Sequence, residues 1–238
     1  MSRLSGDMAQ AEGARGVHRR IFPKLLVLPF FLATLLFLPA GRLDLFAHWT
    51  YFSLLLLFAV VNSILLARAD PGLLEERMRT GPGDRTPYFR LMIGSVFIAH
   101  FGIAGLDAGR YHWSGEFPGV LQGIGLAGLA VSLAGWSWAM WNNRFFSGQV
   151  RIQRERGHCV ESGGPYRFVR HPGYAAMFVL LAASPLALGS YWSALVLAPG
   201  LPLLFYRTTI EDHMLLAELE GYPKYAARVP WRLVPGIW

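Results

Sequence analysis

Residues 171–206 read HPGYAAMFVLLAASPLALGSYWSALVLAPGLPLLFY and contain no Asp, Glu, Lys or Arg. A helix that crosses a membrane needs about 20 apolar residues, so this stretch of 36 residues is too long for one helix. Gly189-Ser190 near its middle is a turn signal, and Pro185 lies just before it. We therefore predict a tight hairpin of two short apolar helices.

Four stretches upstream also lack charged residues, and they span residues 25–41, 45–67, 91–106 and 117–143. Together with the hairpin they make about six transmembrane segments. The composition agrees, because 53% of the residues are hydrophobic and only 16% are charged, whereas a soluble domain has about 25% charged residues. The predicted fold class is all-α: an integral membrane helical bundle with a C-terminal helical hairpin.

Basic residues alternate between rich and poor connections along the chain. The segments 1–24, 68–90, 144–170 and 207–232 each carry several Arg or Lys residues, whereas the first and third turns have only Arg42 and Arg110 and the hairpin turn has none. Cytoplasmic loops of membrane proteins are the basic ones, so both termini are predicted on the cytoplasmic side. Topology thus accounts for the net charge of +7, and we predict a lipid bilayer as partner and no nucleic acid.

The chain divides by composition into three parts. Residues 1–20 are polar and are predicted to form a disordered cytoplasmic N-terminus. Residues 21–141 form the first transmembrane helices, and residues 142–238 form a core with the hairpin and a surface tail. The chain has one cysteine, Cys159, which excludes an internal disulfide framework.

Polar chemistry is concentrated at the entrance to the hairpin. The segment GGP at 163–165 predicts a turn in which the backbone can approach a ligand closely. Pro172 suits the first position of a helix, with His171 near the cap. A helix start offers free N–H groups and a positive dipole end to a carboxylate or phosphate. Tyr166 and Tyr174 flank it, and their rings can hold a cation such as a sulfonium.

A second polar cluster follows the hairpin. Arg207 and Glu211 are spaced i, i+4 and share one helix face, where a simple ion pair is one interpretation. The hairpin brings its two ends together, so both side chains are also predicted near His171 and Tyr174. There a carboxylate can bind the amino group of an amino-acid-like ligand. The tail, residues 221–236, is amphipathic and is predicted to lie on the membrane surface and fold back over this site.

These segments together resemble a known family. Residues 158–174, HCVESGGPYRFVRHPGY, are similar to the cofactor motif of isoprenylcysteine carboxyl methyltransferases and their bacterial relatives, which overlap the phospholipid methyltransferases. The Arg-x-x-x-Glu of Arg207 and Glu211 matches as well. So do NNRFFS at 142–147, VRIQ at 150–153 and a tail that holds Tyr222, Tyr225, Arg232 and Pro235. The resemblance covers about residues 142–238.

The resemblance implies S-adenosyl-L-methionine as cofactor and no metal. The residues that it implies for cofactor binding are His158, Cys159, Val160, Glu161, Tyr166, His171, Pro172, Gly173, Tyr174 and Glu211. Arg207 would hold the methyl acceptor and is the implied catalytic residue. One more family contact, a glutamine before His158, falls on Arg151 when no gap is allowed, and Gln153 lies two residues further on.

The implied reaction is methyl transfer to a membrane-borne acceptor, with the carboxylate of an isoprenyl-cysteine-like or other lipidic molecule favoured. A carboxylate is ionised at pH 7 and needs no general base, so the work is alignment and exclusion of water. A phospholipid amine and a small thiol remain open as acceptors. An amine would need deprotonation, for which Glu211, Glu161 and His171 are candidates.

Two other classes of protein remain. The tail also resembles membrane reductases of the sterol C14-reductase type, which use NADPH, and a non-enzymatic membrane scaffold or transporter is the second alternative. The bacterial branch of the resemblance implies a multi-pass protein of the inner membrane with its site on the cytoplasmic side.

The arginine alternation generates a topology prediction. Reporter fusions after Tyr51 and Arg110 are expected to report the periplasmic side, and a fusion after Trp238 the cytoplasmic side. The measurement is paired alkaline phosphatase and fluorescent-protein activity at each position. A periplasmic signal at Trp238 would contradict the orientation, and with it a site that meets a cytoplasmic cofactor.

Overall fold

The computed structural model describes residues 27–69, 76 and 83–238, and within these residues all regular secondary structure is helical. The N-terminus predicted to be disordered, 1–20, lies outside them. The helices are α1 (Val27–Ala40), α2 (Phe46–Ala69), α3 (Phe89–Gly105), α4 (Gly119–Trp141), α5 (Pro172–Leu188), α6 (Tyr191–Leu197), α7 (Gly200–Glu218) and α8 (Tyr222–Arg228). A π-helical turn, Leu106–Tyr111, extends α3, and two 3₁₀ turns, Arg154–Arg156 and Gly164–Arg167, lie between α4 and α5.

The described residues hold six apolar helical segments, in agreement with the predicted all-α membrane bundle. Four are long and apolar enough to cross a membrane: Phe46–Leu66, Phe89–Tyr111, Gly119–Trp141 and Tyr191–Glu218. Two are shorter, Val27–Ala40 and Pro172–Leu188. Of the shorter two, α5 has 17 residues, which is the lower limit for a span. The four long apolar helices make the chain a multi-pass membrane protein.

The third segment is longer than the uncharged run 91–106. The helix continues past Asp107 to Tyr111 and ends at His112, whose φ is 50°. Asp107 is fully buried, and its carboxylate accepts hydrogen bonds from Ser114 N and from the hydroxyls of Ser114 and Ser190. Because the protein satisfies this acid internally, the helix does not end where the charge appears.

The hairpin turns at Gly189-Ser190, where it was predicted. Gly189 has a φ of 71°, and Ser190 caps α6 by accepting a hydrogen bond from Ser193 N at 3.1 Å. The expectation of two short arms is wrong for the second arm. After a break at Ala198-Pro199 it continues to Glu218 as one span of 28 residues. Arg207 and Asp212 are buried with protein partners inside it, so their charges do not end the helix.

The first arm of the hairpin packs most extensively on α4. At Gly125 a Cβ atom would stand 2.2 Å from Ala187 N, so only glycine allows the two backbones to approach this closely. Ser132 Oγ donates to Ala176 O at 2.8 Å further along the same contact. A buried polar link then ties α2, α3 and α5 together, because the Ser184 hydroxyl lies 2.7 Å from the Tyr51 hydroxyl and 2.8 Å from His100 Nε2.

The tail folds back onto the end of the bundle that carries the connection between α4 and α5. An apolar cluster forms there from residues of that connection, of α7 and of the tail: Val150, Tyr166, Met214, Leu215, Leu219, Tyr222, Tyr225 and Val229. The main chain adds to it, since Arg170 N and His171 N donate to the carbonyls of Trp231 and Arg232, both at 2.9 Å. The tail therefore covers the beginning of α5.

The carboxylate of Asp212 is the polar centre of this arrangement and has no solvent exposure. Arg170 donates to both of its oxygens at 2.9 Å, and Arg232 Nε donates at 2.8 Å. The Tyr222 hydroxyl donates at 2.9 Å, and His171 Nε2 lies at 3.1 Å. One side chain of α7 thus joins the start of α5 to two parts of the tail.

Replacing Asp212 by Asn is expected to destabilise the protein by about 3–5 kcal/mol, because the buried guanidinium of Arg170 and the partly buried one of Arg232 then stay beside a neutral amide. The measurement is thermal and denaturant unfolding in detergent micelles, with limited proteolysis to detect release of the tail. Asp44→Asn is the matched control, since it removes an acid from the exposed pair with Arg42. Equal stability of both variants and the wild type would show that other contacts hold the tail.

Candidate functional site

A cavity of about 270 Å³ lies at the end of the bundle that the tail covers. Its wall is built from the start of α3, the connection between α4 and α5, the start of α5, the middle of α7 and the tail. Local sequence accounts for two of these parts. The proline of the His-Pro pair starts α5, and the hairpin returns α7 to the same end of the bundle. The cavity is thus assembled from segments far apart in sequence.

The structure brings the predicted site residues together in this cavity. Its wall includes His158, Cys159, Val160, Glu161, Tyr166, His171, Gly173, Tyr174, Arg207 and Glu211. Pro172 is the exception, because it is buried as the first residue of α5 and does not line the cavity. Its contribution is the helix start itself. The two predicted clusters, which are separated by more than 30 residues, therefore line one cavity.

The helix start has the predicted form, with His171 at the N-cap and Pro172 at the first helical position. Its first amide donors are partly used, since His171 N donates to Arg232 O. The amides of Gly173 and Tyr174 have no acceptor within the helix, and both residues line the cavity. Gly173 is needed for close packing, because a Cβ atom there would lie 2.6 Å from the Phe146 ring.

The turn predicted at 163–165 is present as the 3₁₀ turn Gly164–Arg167. Gly164 has a φ of 52°, and a Cβ atom on it would lie 2.4 Å from the Asn142 side chain. Neither Gly163 nor Gly164 lines the cavity. At Gly164, glycine is required by the left-handed backbone and by the nearby Asn142 side chain.

Arg207 and Glu211 do not form a direct ion pair. The Tyr174 hydroxyl lies between them, since it accepts from Arg207 Nε at 2.8 Å and donates to a Glu211 oxygen at 2.5 Å. The second Glu211 oxygen lies 4.0 Å from His171 Nδ1, and 27% of the Glu211 side chain is exposed. This carboxylate therefore keeps capacity for a ligand, which the interpretation as a simple ion pair does not predict.

The guanidinium of Arg207 is buried and held on several sides. Beyond Tyr174, Nη1 donates to Thr86 Oγ1 at 2.6 Å and Nη2 to Gly148 O at 2.7 Å. The ring of Phe89 lies against the same group, with 4.4 Å from Cζ to the ring centroid. The positive charge is thus fixed in place at the cavity wall.

The two candidates for the upstream glutamine contact both line the cavity, and they differ in environment. Arg151 pairs with Glu76 and Glu155 at 2.7 Å each. Gln153 is buried, and its amide donates to Phe145 O at 2.7 Å while its main-chain N–H donates to His158 Nδ1 at 3.2 Å. Burial, with the charges of Arg151 and Arg156, lowers the pKa of the His158 imidazole to about 4. The ring is therefore neutral at pH 7 and accepts this hydrogen bond.

Three tyrosines form the side of the cavity nearest the tail. Burial raises the pKa of the Tyr225 phenol to about 12 and holds the pKa values of the Tyr166 and Tyr222 phenols above their usual range. All three stay protonated, so their hydroxyls act as donors. Tyr225 donates to Tyr166 O at 2.7 Å, and Asn143 Nδ2 donates to the Tyr166 hydroxyl at 3.1 Å.

Several cavity residues were not predicted from the sequence as site residues. They are Phe89, Arg90, Ile93, Trp136, Asn143, Phe145, Phe146, Ser147, Gly148, Gln149, Arg170, Met177, Met214, Leu215 and Leu219. Most are apolar or carry no distinctive spacing. Arg170, next to His171, was the residue with a usable signal, since an arginine adjacent to a helix cap and an acid at the facing level of α7 suggest a buried pair.

Among other groups, the wall offers the partly exposed carboxylate of Glu211, aromatic faces, helix-start amides and the fixed guanidinium of Arg207. Carboxylates and aromatic faces bind cations, whereas guanidinium and helix-start amides bind anions. The cavity therefore offers groups for both charges of a zwitterionic ligand. Among the described residues no three His, Cys, Asp or Glu side chains are placed to hold a metal ion.

Comparison with known proteins gives matches over this same region. Residues 126–217 match the sequence model of the isoprenylcysteine carboxyl methyltransferase family. The chain is 31% identical over 87 residues to a protein-S-isoprenylcysteine O-methyltransferase of Schizosaccharomyces pombe, which is 36% of this chain and 37% of that protein. It is 27% identical over 152 residues to the nickel-cobalt-cadmium resistance protein NccN of Alcaligenes xylosoxydans xylosoxydans, 61% of this chain and 62% of that protein.

The matched segment holds the α4–α5 pair, the hairpin and most of α7. It therefore contains both the helix start at His171 and the Arg207–Glu211 pair. The chain spans less than two thirds of the length of each of these two relatives. Residues 126–217 are therefore similar to the isoprenylcysteine carboxyl methyltransferase family.

Proposed function

We propose that this membrane protein is a methyltransferase that binds S-adenosyl-L-methionine in the cavity and methylates a membrane-borne acceptor. The favoured acceptor group is the carboxylate of an isoprenyl-cysteine-like or other lipidic molecule. The proposed setting is the bacterial inner membrane, with both termini and the cavity on the cytoplasmic side, as the arginine alternation favours. Residues 142–238 are the proposed cofactor-binding core.

The observation that carries the proposal is the convergence of two distant motifs. The segment 158–174 and the Arg207–Glu211 pair were selected from the sequence separately, and all but one of the proposed residues line the same cavity. The family match, residues 126–217, covers both motifs. A chance likeness in either motif alone would not require them to meet.

The chemistry of the wall fits the cofactor. The Glu211 carboxylate suits its ammonium group, the amides at the start of α5 suit its carboxylate, and the rings of Tyr166 and Tyr174 suit its sulfonium. His158, Cys159, Val160 and Glu161 lie along the same wall. When bound, S-adenosyl-L-methionine supplies a methyl group on a good leaving group.

The remaining work belongs to residues of this chain. Tyr174 is hydrogen-bonded to both Arg207 and Glu211, so it keeps the acceptor-binding and cofactor-binding groups at a fixed separation. A fixed separation favours a near-attack arrangement of the two reactants. An ionised carboxylate acceptor needs no proton removed, and the covering tail excludes water from the cavity.

Access for a lipidic acceptor is supported by the apolar part of the wall. Ile93 of α3 and Met177 of α5 line the cavity, and both residues belong to apolar helices of the bundle. An acceptor with a hydrocarbon chain can therefore rest its head group near Arg207 while the chain stays among the helices. A water-soluble acceptor would not need this apolar side.

An NADPH-dependent reductase is the alternative that the tail sequence suggests. It needs a site for the phosphate groups of the dinucleotide, and Arg90, Arg151 and Arg170 line the cavity. The methyltransferase is favoured because Glu211 faces the cavity and would repel such phosphates.

Equilibrium binding separates these proposals. Detergent-solubilised protein is expected to bind S-adenosyl-L-methionine in calorimetry and to show no saturable binding of NADPH. It is also expected to transfer labelled methyl groups from this cofactor into a total lipid extract. Binding of NADPH alone would replace the methyltransferase by the reductase, and binding of neither would favour a non-enzymatic protein.

Glu211→Gln is expected to weaken S-adenosyl-L-methionine binding roughly 10- to 150-fold, since a hydrogen bond to a charged group contributes about 1.5–3 kcal/mol. The dissociation constant from calorimetry is the measurement. Glu218→Gln is the matched control, because Glu218 lies two turns further along α7, outside the cavity, and pairs with Arg85 at the surface. Normal affinity in a folded Glu211→Gln variant would remove Glu211 from the cofactor site.

A further inference from the structure

The start of α3 lines the cavity although it lies outside residues 126–217. Phe89, Arg90 and Ile93 line the wall, and the chain just before them runs beside the connection between α4 and α5. Arg85 N donates to Val150 O, and Val150 N donates to an Asp84 oxygen, both at 3.1 Å. The segment 84–89 is thus anchored to the proposed cofactor-binding core.

Thr86 is the residue of this segment that hydrogen-bonds to Arg207, the predicted acceptor-binding residue. It is buried with 6% exposure, and its hydroxyl accepts from Arg207 Nη1 at 2.6 Å. The same hydroxyl donates to Asp84 Oδ1 at 3.2 Å, and Thr86 N donates to that oxygen at 2.9 Å. The hydroxyl is therefore fixed in direction: its hydrogen points to Asp84 and its lone pair to Arg207.

The hydrogen bonds of Arg207 use three of its N–H groups and leave two for a ligand. A guanidinium has five N–H groups. Tyr174 takes the one on Nε, Thr86 takes one on Nη1, and Gly148 takes one on Nη2. One N–H remains on each terminal nitrogen, and two such groups are what a carboxylate binds at two points.

We propose that Thr86 is a positioning residue for Arg207, which sets the plane of the guanidinium so that this remaining pair serves the acceptor. The inference rests on the proposed function, since it names the group that the acceptor meets. Phe89 also helps to set this plane, because its ring centroid lies 4.4 Å from Arg207 Cζ. The segment 84–89, outside the family match, thereby influences which acceptors are used.

The test compares Thr86→Val with Thr86→Ser. Valine has the shape of threonine but no hydroxyl, whereas serine keeps the hydroxyl. Thr86→Val is expected to lower kcat/KM for S-farnesylcysteine about 10- to 100-fold, the loss typical of a hydrogen bond to a charged group. Its dissociation constant for S-adenosyl-L-methionine is expected to stay within about threefold of the wild type, because Tyr174 and Glu211 are untouched. Thr86→Ser is expected to stay near wild-type kcat/KM.

A second readout does not depend on turnover. The rate at which phenylglyoxal modifies Arg207, followed by mass spectrometry of its peptide, reports how firmly the guanidinium is held. We expect this rate to rise about three- to tenfold in Thr86→Val, where one hydrogen bond is lost, and to stay unchanged in Thr86→Ser. Thr209→Val is the matched control, since Thr209 lies on α7 and donates only to Phe205 O of its own helix.

The outcomes separate the two proposals. Wild-type values for Thr86→Val in both kcat/KM and labelling would overturn the positioning role. A joint loss of melting temperature, cofactor affinity and turnover that serine does not rescue would also overturn it, in favour of a structural role. If the wild type transfers no methyl group, the proposed function fails, and the labelling rates alone decide: faster labelling in Thr86→Val but not in Thr86→Ser supports the role of Thr86, and equal rates contradict it.

Discussion

A buried carboxylate must be matched by positive charge and hydrogen-bond donors, and this requirement at Asp212 organises the functional end of the molecule. Its oxygens receive two arginines, a tyrosine hydroxyl and a histidine nitrogen. These partners come from the start of α5 and from the tail. A low-dielectric site strengthens each of these contacts and makes any missing one costly. The wall of the cavity thus depends on a residue that does not line it.

The neighbouring acids Glu211 and Asp212 show how one helix divides two tasks. Successive residues of a helix point about 100° apart, so Asp212 faces the tail while Glu211 faces the cavity. Asp212 is saturated by protein donors, whereas Glu211 receives one hydroxyl and stays partly exposed. The charge of Asp212 therefore holds the tail on the bundle, whereas the carboxylate of Glu211 keeps capacity for a ligand. His171 lies between them, with one ring nitrogen towards each acid.

Much of this arrangement could be predicted from local sequence. The turn at Gly189, the helix start at Pro172 and the meeting of Arg207 with Tyr174 follow from chain chemistry and from the length of a membrane span. The end of α3 and the length of α7 could not be predicted, since the uncharged runs end at Asp107 and Arg207. Both charges are paired inside the protein by residues distant in sequence, Ser190 in one case and Thr86 in the other. Long-range pairing of this kind leaves no local pattern.

The same reasoning explains why the polar residues lie where the bundle ends. A guanidinium is costly within the hydrocarbon region unless protein groups surround it, and Arg207 has Tyr174, Thr86, Gly148 and Phe89 around it. Those four groups come from α5, the segment 84–89, the connection after α4 and the start of α3. The charge therefore requires contributions from both halves of the chain. A substitution in the segment 84–89 can change the environment of Arg207 without altering the helix that carries it, and this gives the N-terminal half a direct physical influence on the cavity.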